Sequence, residues 1–403
     1  ISPRLKDGKL TLAVQFTPEG ARNPLVVAEE AAHLHQIFNS STLLRSPYHY
    51  LETWTNAQAG SPPSQALLAH AEVQASGLTR TLLDRLREEL PKTIPSSEIV
   101  DKFLDARSAH AEQILAEKVK AGNAFLKNAK NQYEKKKPKF DSFEKQSQKL
   151  DDLVRAGKRK EVRQMLEDYL PMEMMEPFEK SVWTEWLDAL EHPSKDPKNM
   201  TLVYRGLESR DFVGGMDAQK KILMSSVMTR NQGNYSRRLR SVVRARGNGL
   251  QESLAGTGPL MMEMFKSHAS NPVASLFIST SNLGVAQDFI RDGGGMGAIA
   301  IDKRRVFPNY LGFHNYESEA ERLIPLVVFP DEVIHFKPNH DNDDGYEDVV
   351  KAVKEKLGPG YEHAYKNGFL KDSPLDAISE TSNKHLQKVL SSSPCADLYP
   401  LFK

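Results

Sequence analysis

Apolar positions recur at helical spacing through most of the first half of the chain, then give way near residue 200 to short apolar runs of strand length. From about Leu67 to Glu191 the pattern is overwhelmingly helical. In its clearest stretch Val100, Phe103, Leu104, Ala111, Ile114, Leu115, Val119, Phe125, Leu126 and Ala129 repeat on one face, with Ser96 or Ser97 placed to cap it. This predicts one long amphipathic helix. It ends at Lys135-Lys136-Lys137-Pro138-Lys139, where proline cannot supply a helical amide hydrogen and adjacent ammonium groups repel. Further helices are expected from Phe143 to Ala156, stopped by Gly157, from Glu161 to Leu170, stopped by Pro171, and from Phe178 to Leu190. Trp183 and Trp186, three apart, belong on the buried side of the last one.

The segment His192 to Asn199, with its two prolines, reads as a linker. Beyond it, Thr201-Leu202-Val203-Tyr204, Ala274-Ser275-Leu276-Phe277-Ile278, Ala298-Ile299-Ala300-Ile301 and Leu323 to Phe329 read as strands, and Asn282 to Phe289 as a short helix. Gly293-Gly294-Gly295-Met296-Gly297 follows a helix and precedes a strand, the reverse of a phosphate-binding loop, and is expected to be a flexible turn. The tail from Tyr346 to Lys403 looks helical. The expected organisation is therefore α+β: an N-terminal extension over 1–66, partly helical, a helical lobe over 67–191, a strand-rich core over 200–340 and a C-terminal helical segment over 341–403.

Composition narrows the function classes. A chain of 403 residues is long enough for two or three domains, and because it begins at Ile1 rather than an initiator methionine it is expected to be a piece of a larger protein. A net charge of +1 gives no general case for nucleic-acid or membrane binding. The single Cys395 cannot form an internal disulfide, and no apolar run is long enough to span a bilayer, so a soluble piece is expected. Near the N-terminus, Glu30-x-x-His33 resembles part of the His-Glu-x-x-His zinc-protease pattern, but Glu29 stands where the first histidine ligand belongs. The reading is an amphipathic helix with its polar residues outward, and no metal.

Three short segments of the second half carry candidate chemistry, in order: Tyr204-Arg205-Gly206, Ser279-Thr280-Ser281 behind an apolar run, and Glu319-Ala320-Glu321 leading into one. A guanidinium at the end of a strand suits a pyrophosphate, because its planar fork meets phosphate oxygens two at a time. Gly206 beside it lets backbone approach a ligand closely. Residues two apart on a strand share a face, so Glu319 and Glu321 can point into one cleft. Glu317-Ser318-Glu319 is a second register of the same pattern; Glu319 and Glu321 are preferred because Glu321 abuts the apolar run.

Together the segments resemble the Arg, Ser-Thr-Ser and Glu-x-Glu signature of mono-ADP-ribosyltransferases, the family of cholera-type and clostridial binary toxins. The resemblance implies a core of two packed sheets with NAD in the cleft between them, NAD as substrate, and no metal. It implies that Arg205 holds NAD together with Gly206, Ser279, Thr280 and Ser281, and that Ser279 fixes the rotamer of Glu321. Glu321 would contact the ribose and stabilise its cation, and Glu319 would orient the acceptor. A glutamate rather than a glutamine at 319 resembles the arginine-modifying branch, since a charged guanidinium acceptor needs a carboxylate to hold it and take its proton.

The loop from Phe307 to Tyr316 occupies the place of the family's substrate-recognising loop, with Phe313 and Tyr316 as the implied contacts to an acceptor protein. A helical lobe ahead of such a core resembles SidE-type bacterial effectors, which implies ubiquitin as an acceptor and a secreted virulence effector or toxin acting in the target-cell cytosol. The arginine-rich stretch from Thr229 to Arg240, continuing to Arg244 and Arg246, could hold NAD phosphates or an acidic partner, or be a solvated helix face. Two rival readings stay open: a helical binding module, engaging a partner through the helices and Lys135 to Lys139, with an inactive transferase-like half; and an NAD glycohydrolase.

Overall fold

The computed structural model describes residues 1–6, 9–14, 16–39, 47–136, 143–207, 244, 250, 276–290, 294–308, 321–338 and 345–369. The chain divides into two compact units: Ile1–Lys135 with Pro171–Lys180 and Arg240–Glu263, and Lys136–Leu170 with Ser181–Leu239 and Met264–Lys403.

The first unit starts with a hairpin of β1 (Ser2–Lys6) and β2 (Lys9–Ala13), paired antiparallel from Ser2↔Ala13 to Lys6↔Lys9. Four helices follow: α1 (Pro24–Asn39), α2 (Pro47–Gln58), α3 (Pro62–Glu89) and α4 (Ser97–Lys136). The first three open on proline, whose fixed φ and missing amide hydrogen suit a first helical turn. Helix α4 runs 40 residues, about 60 Å at the helical rise, as one uninterrupted helix. Its apolar stripe is seated near both ends: Val100 and Leu104 pack with Leu25, Ala28 and Leu83, and Leu126 packs with Ala66 and Leu250. Between them Ala111, Ile114, Leu115 and Val119 are only half-buried. The segment 171–180 is tied in by a buried carboxylate. Glu176 Oε1 accepts from the hydroxyls of Ser61 (2.5 Å) and Ser64 (2.6 Å) and from the Ser64 amide (3.1 Å).

In the second unit α5 (Phe143–Arg155), α6 (Arg159–Tyr169) and α7 (Pro177–Glu191), the last counted here from Ser181, precede the strands. Six strands form one sheet in the order β6-β7-β4-β3-β5-β8, with every pairing antiparallel: β3 (Met200–Leu207), β4 (Leu276–Thr280), β5 (Gly295–Asp302), β6 (Phe307–Pro308), β7 (Glu321–Pro325) and β8 (Val333–Pro338). The α+β class follows directly.

Strand alternation sorts the core into two layers. Leu202, Tyr204, Ala298 and Ala300 pack on Leu283 and Ala286 of α8 (Leu283–Asp288), Val349 and Val353 of α9 (Gly345–Leu357), and Tyr361 and Ala364 of α10 (Tyr361–Phe369). Val203, Leu207, Ile299, Ile301, Ile324 and Val328 form the other layer. Helix α10 is fastened to the start of β3 by Asn367, whose amide nitrogen donates to the carbonyls of Lys198 (2.9 Å) and Met200 (2.6 Å).

Two expectations about the core need correction. Gly295, Met296 and Gly297 are not a flexible turn; they are the buried start of β5, with Gly297 paired between Arg205 of β3 and Phe336 of β8. Small residues there admit neighbours on both sides of a central strand. The apolar run Leu323 to Phe329 is likewise not one strand. It breaks after Pro325, where Leu326 takes a left-handed φ of 62°.

The buried turn after that break has polar backbone to satisfy, and two charged side chains supply the partners. Arg305, fully buried, donates to the Val327 carbonyl (2.6 Å) and pairs with Glu332. Glu332 in turn accepts the Phe329 amide (2.8 Å) and contacts Arg159 of α6 (3.3 Å). The Arg305 guanidinium lies 5.5 Å from the ring centroids of both Trp186 and Phe329, and Trp183 meets Trp186 edge-on at 5.4 Å. Burial pulls the pKa of Arg305 down, and Glu332 opposes the shift. Both tryptophans are thus core residues, as their spacing predicts.

Among the described residues, no helix is long and apolar enough to cross a membrane.

Candidate active site

The sheet order sets Tyr204 to Gly206, Ser279 with Thr280, and Glu321 on three adjacent strands, β3, β4 and β7. Tyr204 of β3 pairs with Thr280 of β4, and Thr280 pairs with Glu321 of β7, so the three residues form one row across the sheet. Arg205 and Gly206 follow Tyr204 along β3, and Glu321 is the first residue of β7. Residues far apart in sequence therefore meet at one place in the sheet.

Gly206 marks a close approach between β3 and α8. A Cβ at this position would sit 2.0 Å from the Ala286 carbonyl oxygen and 3.0 Å from Phe289 Cβ, which backbone cannot yield without moving α8. Gly206→Ala is expected to destabilise the fold by about 1–3 kcal/mol through overpacking. An unchanged denaturant midpoint would show that α8 is not held against β3 as described.

The Ser-Thr-Ser segment forms the turn from β4 into α8. Thr280 and Ser281 are buried; Thr280 Oγ1 accepts the Asn282 amide (3.0 Å), and Asn282 Oδ1 accepts the Gly284 amide (3.0 Å), capping the helix. By register Ser279 lies opposite Arg322, and it is Thr280 that lies opposite Glu321. Only the backbone of Ser279 is described.

Side-chain direction adds a constraint. Paired positions share a face, so Glu321 goes with Thr280, while Arg205 alternates to the face of Val203 and Leu207. Both Arg205 and Glu321 are half-buried. The pairing of β3 with β5 extends over eight positions, whereas among the described residues β3 and β4 pair at the single row Tyr204↔Thr280. Arg205 and Gly206 are thus paired with β5 and, among the described residues, not with β4.

Glu317, Glu319, Phe313 and Tyr316 lie outside the described residues, as do most of the arginine-rich stretch and the tail beyond Phe369.

A second constellation sits in the first unit, where the polar residues of α1 were expected to face outward. They do not. Glu29 and Glu30 are buried, and Glu29 Oε1 accepts from Arg107 Nε (2.8 Å) and Nη2 (2.5 Å). An arginine on α4 thus compensates a carboxylate that the α1 pattern alone assigns to solvent. Position 107 carries no periodic signal that links it to α1.

No family model, no curated protein and no solved structure matches this chain.

Proposed function

We propose that the chain is a mono-ADP-ribosyltransferase that moves ADP-ribose from NAD to an arginine of a target protein and releases nicotinamide. The observation that carries this reading is the row Tyr204–Thr280–Glu321, because it sets the Arg-bearing, Ser-Thr-Ser-bearing and Glu-bearing strands side by side. In the reaction the bond between C1′ of the ribose and the nicotinamide nitrogen breaks, and nicotinamide leaves with the bonding electrons. An acceptor guanidinium nitrogen attacks C1′ and gives its proton to a carboxylate.

The ribose passes through an oxocarbenium-like state, which negative charge stabilises. Glu321 supplies that charge and Arg205 grips the pyrophosphate; the register sets Thr280, not Ser279, beside Glu321. Gly206, Thr280 and Ser281 line the nucleotide. Glu319 orients the acceptor arginine, and Phe313 and Tyr316 contact the acceptor protein. The two-sheet core and its cleft are part of this proposal; the described strands β3 to β8 form one sheet. Ubiquitin is the candidate acceptor, and a secreted bacterial effector acting in the target-cell cytosol is the candidate setting.

An inactive transferase-like half beside a helical binding module is the second reading. It is favoured by the strand alternation that sets Arg205 and Glu321 on different faces. Nicotinamide release from NAD, with and without candidate acceptor proteins, separates the readings: acceptor-dependent release supports transfer, acceptor-independent release supports a glycohydrolase, and no release supports the binding module.

Arg205→Lys keeps the charge but loses the planar fork, so NAD binding is expected to weaken by about tenfold or more, the equivalent of one lost charge-assisted hydrogen bond. Calorimetry on the variant measures this. An unchanged dissociation constant would assign phosphate binding to other cations.

A further inference from the structure

We propose that Glu29, His33 and Glu72 form a binding site for a divalent cation of the zinc class. Glu29 and His33 are four apart on α1 and so share a helix face, and Glu72 reaches them from α3. One ligand atom from each, an imidazole nitrogen and two carboxylate oxygens, lies within 4.8 Å of the other two. His33 Nε2 and Glu72 Oε2 are already 3.3 Å apart, and binding an ion would need side-chain torsions to draw in any wider pair. Zinc accepts this ligand set, and three protein ligands leave a coordination position for water.

The surroundings of His33 point the same way, independently of the three ligands. Gln36 is buried, and its amide nitrogen donates to the Ala71 carbonyl (3.0 Å), which fixes its oxygen as an acceptor. That oxygen lies 3.1 Å from His33 Nδ1, so Nδ1 carries the hydrogen. The other ring nitrogen, Nε2, is then the one presented to Glu72, at 3.3 Å. A histidine that donates from one nitrogen to a fixed oxygen and offers the other is the arrangement metal-ligating histidines adopt.

Arg107 occupies Oε1 of Glu29 and leaves Oε2 for an ion. Entry is open: the side chain of Glu72 is 46% exposed, whereas those of His33 and Glu29 are 15% and 6% exposed.

The competitor is a proton. Burial disfavours a charged His33, but Glu72, with Glu30 and Glu29, outweighs it and raises its pKa. Around the ring are Glu29 and Glu30 of α1 and Glu72 of α3, with Arg107 of α4 bound to Glu29. Zinc requires a neutral imidazole, so protons compete with the metal and apparent affinity rises with pH.

The experiment is zinc titration of the full chain by calorimetry at two pH values, in two buffers of different ionisation enthalpy. One equivalent of zinc is expected to bind, more tightly at the higher pH, with proton release at the lower. Glu72→Gln, at a half-exposed position and of the same shape, is expected to weaken binding at least about 100-fold, the upper end of what loss of an outer-shell partner costs. Gln36→Met, which frees the His33 tautomer but removes no ligand, is expected to weaken it by about 10-fold. Absence of binding by the unaltered chain at micromolar zinc, or equal affinity in Glu72→Gln, overturns the proposal and leaves the trio as a protonated histidine between carboxylates.

Discussion

Glu321→Gln is expected to reduce nicotinamide release from NAD on the order of 100-fold or more, because in the proposed reaction it removes the charge that faces the developing ribose cation and keeps the side chain's shape. The fold should not change. Glu321 is half-buried at the first position of β7, and the residues that anchor this strand, Leu323 and Ile324, lie further along it. The paired measurement is the rate of nicotinamide release and the melting temperature. Near-normal release from a variant that melts like its parent would remove Glu321 from the chemistry and direct attention to Glu317 and Glu319.

The largest stability effect is expected at Glu332. Glu332→Ala strips the counter-charge from Arg305, which is fully buried, and also orphans the Phe329 amide. Breaking a buried pair by removing one partner costs about 3–5 kcal/mol, because the remaining charge is left in a medium that cannot solvate it. Chemical denaturation reads this directly. Arg305→Met combined with Glu332→Leu should recover much of the loss, since well-packed apolar residues often replace such pairs without penalty. A Glu332→Ala variant as stable as its parent would mean that the turn after Leu326 obtains its hydrogen bonds elsewhere.

Much of the secondary structure is legible in the sequence, and the reason is physical. Helix α4 carries its apolar positions at helical spacing over its whole length, and proline or glycine stops α5 and α6. Strands β3, β5 and β7 are apolar because neighbours cover both faces. Misreadings occur where tertiary partners override local pattern. Gly295 to Gly297 look like a turn on composition, yet they are paired between two strands, β3 and β8. Glu29 and Glu30 look like solvated positions of α1, yet Arg107 arrives from a helix begun many residues later. Arg305 and Glu332 are equally invisible in advance, since nothing local marks a charged residue as buried.

The candidate site shows the same division. Sequence order supplies the three segments but not that β3, β4 and β7 are neighbours, which depends on long-range pairing. It also assigns Ser279 to Glu321, whereas register sets Thr280 opposite that glutamate and gives Thr280 and Asn282 the work of turning the chain into α8. Strand parity, which a linear motif does not carry past the next strand, separates the faces of Arg205 and Glu321.

The central claim is transfer of ADP-ribose to arginine, and tandem mass spectrometry of acceptor proteins incubated with the chain and NAD tests it most directly. The account predicts ADP-ribose on an arginine side chain, present with the unaltered chain and lost with Glu321→Gln. Arginines left unmodified across the acceptors, or modified equally by Glu321→Gln, would contradict it.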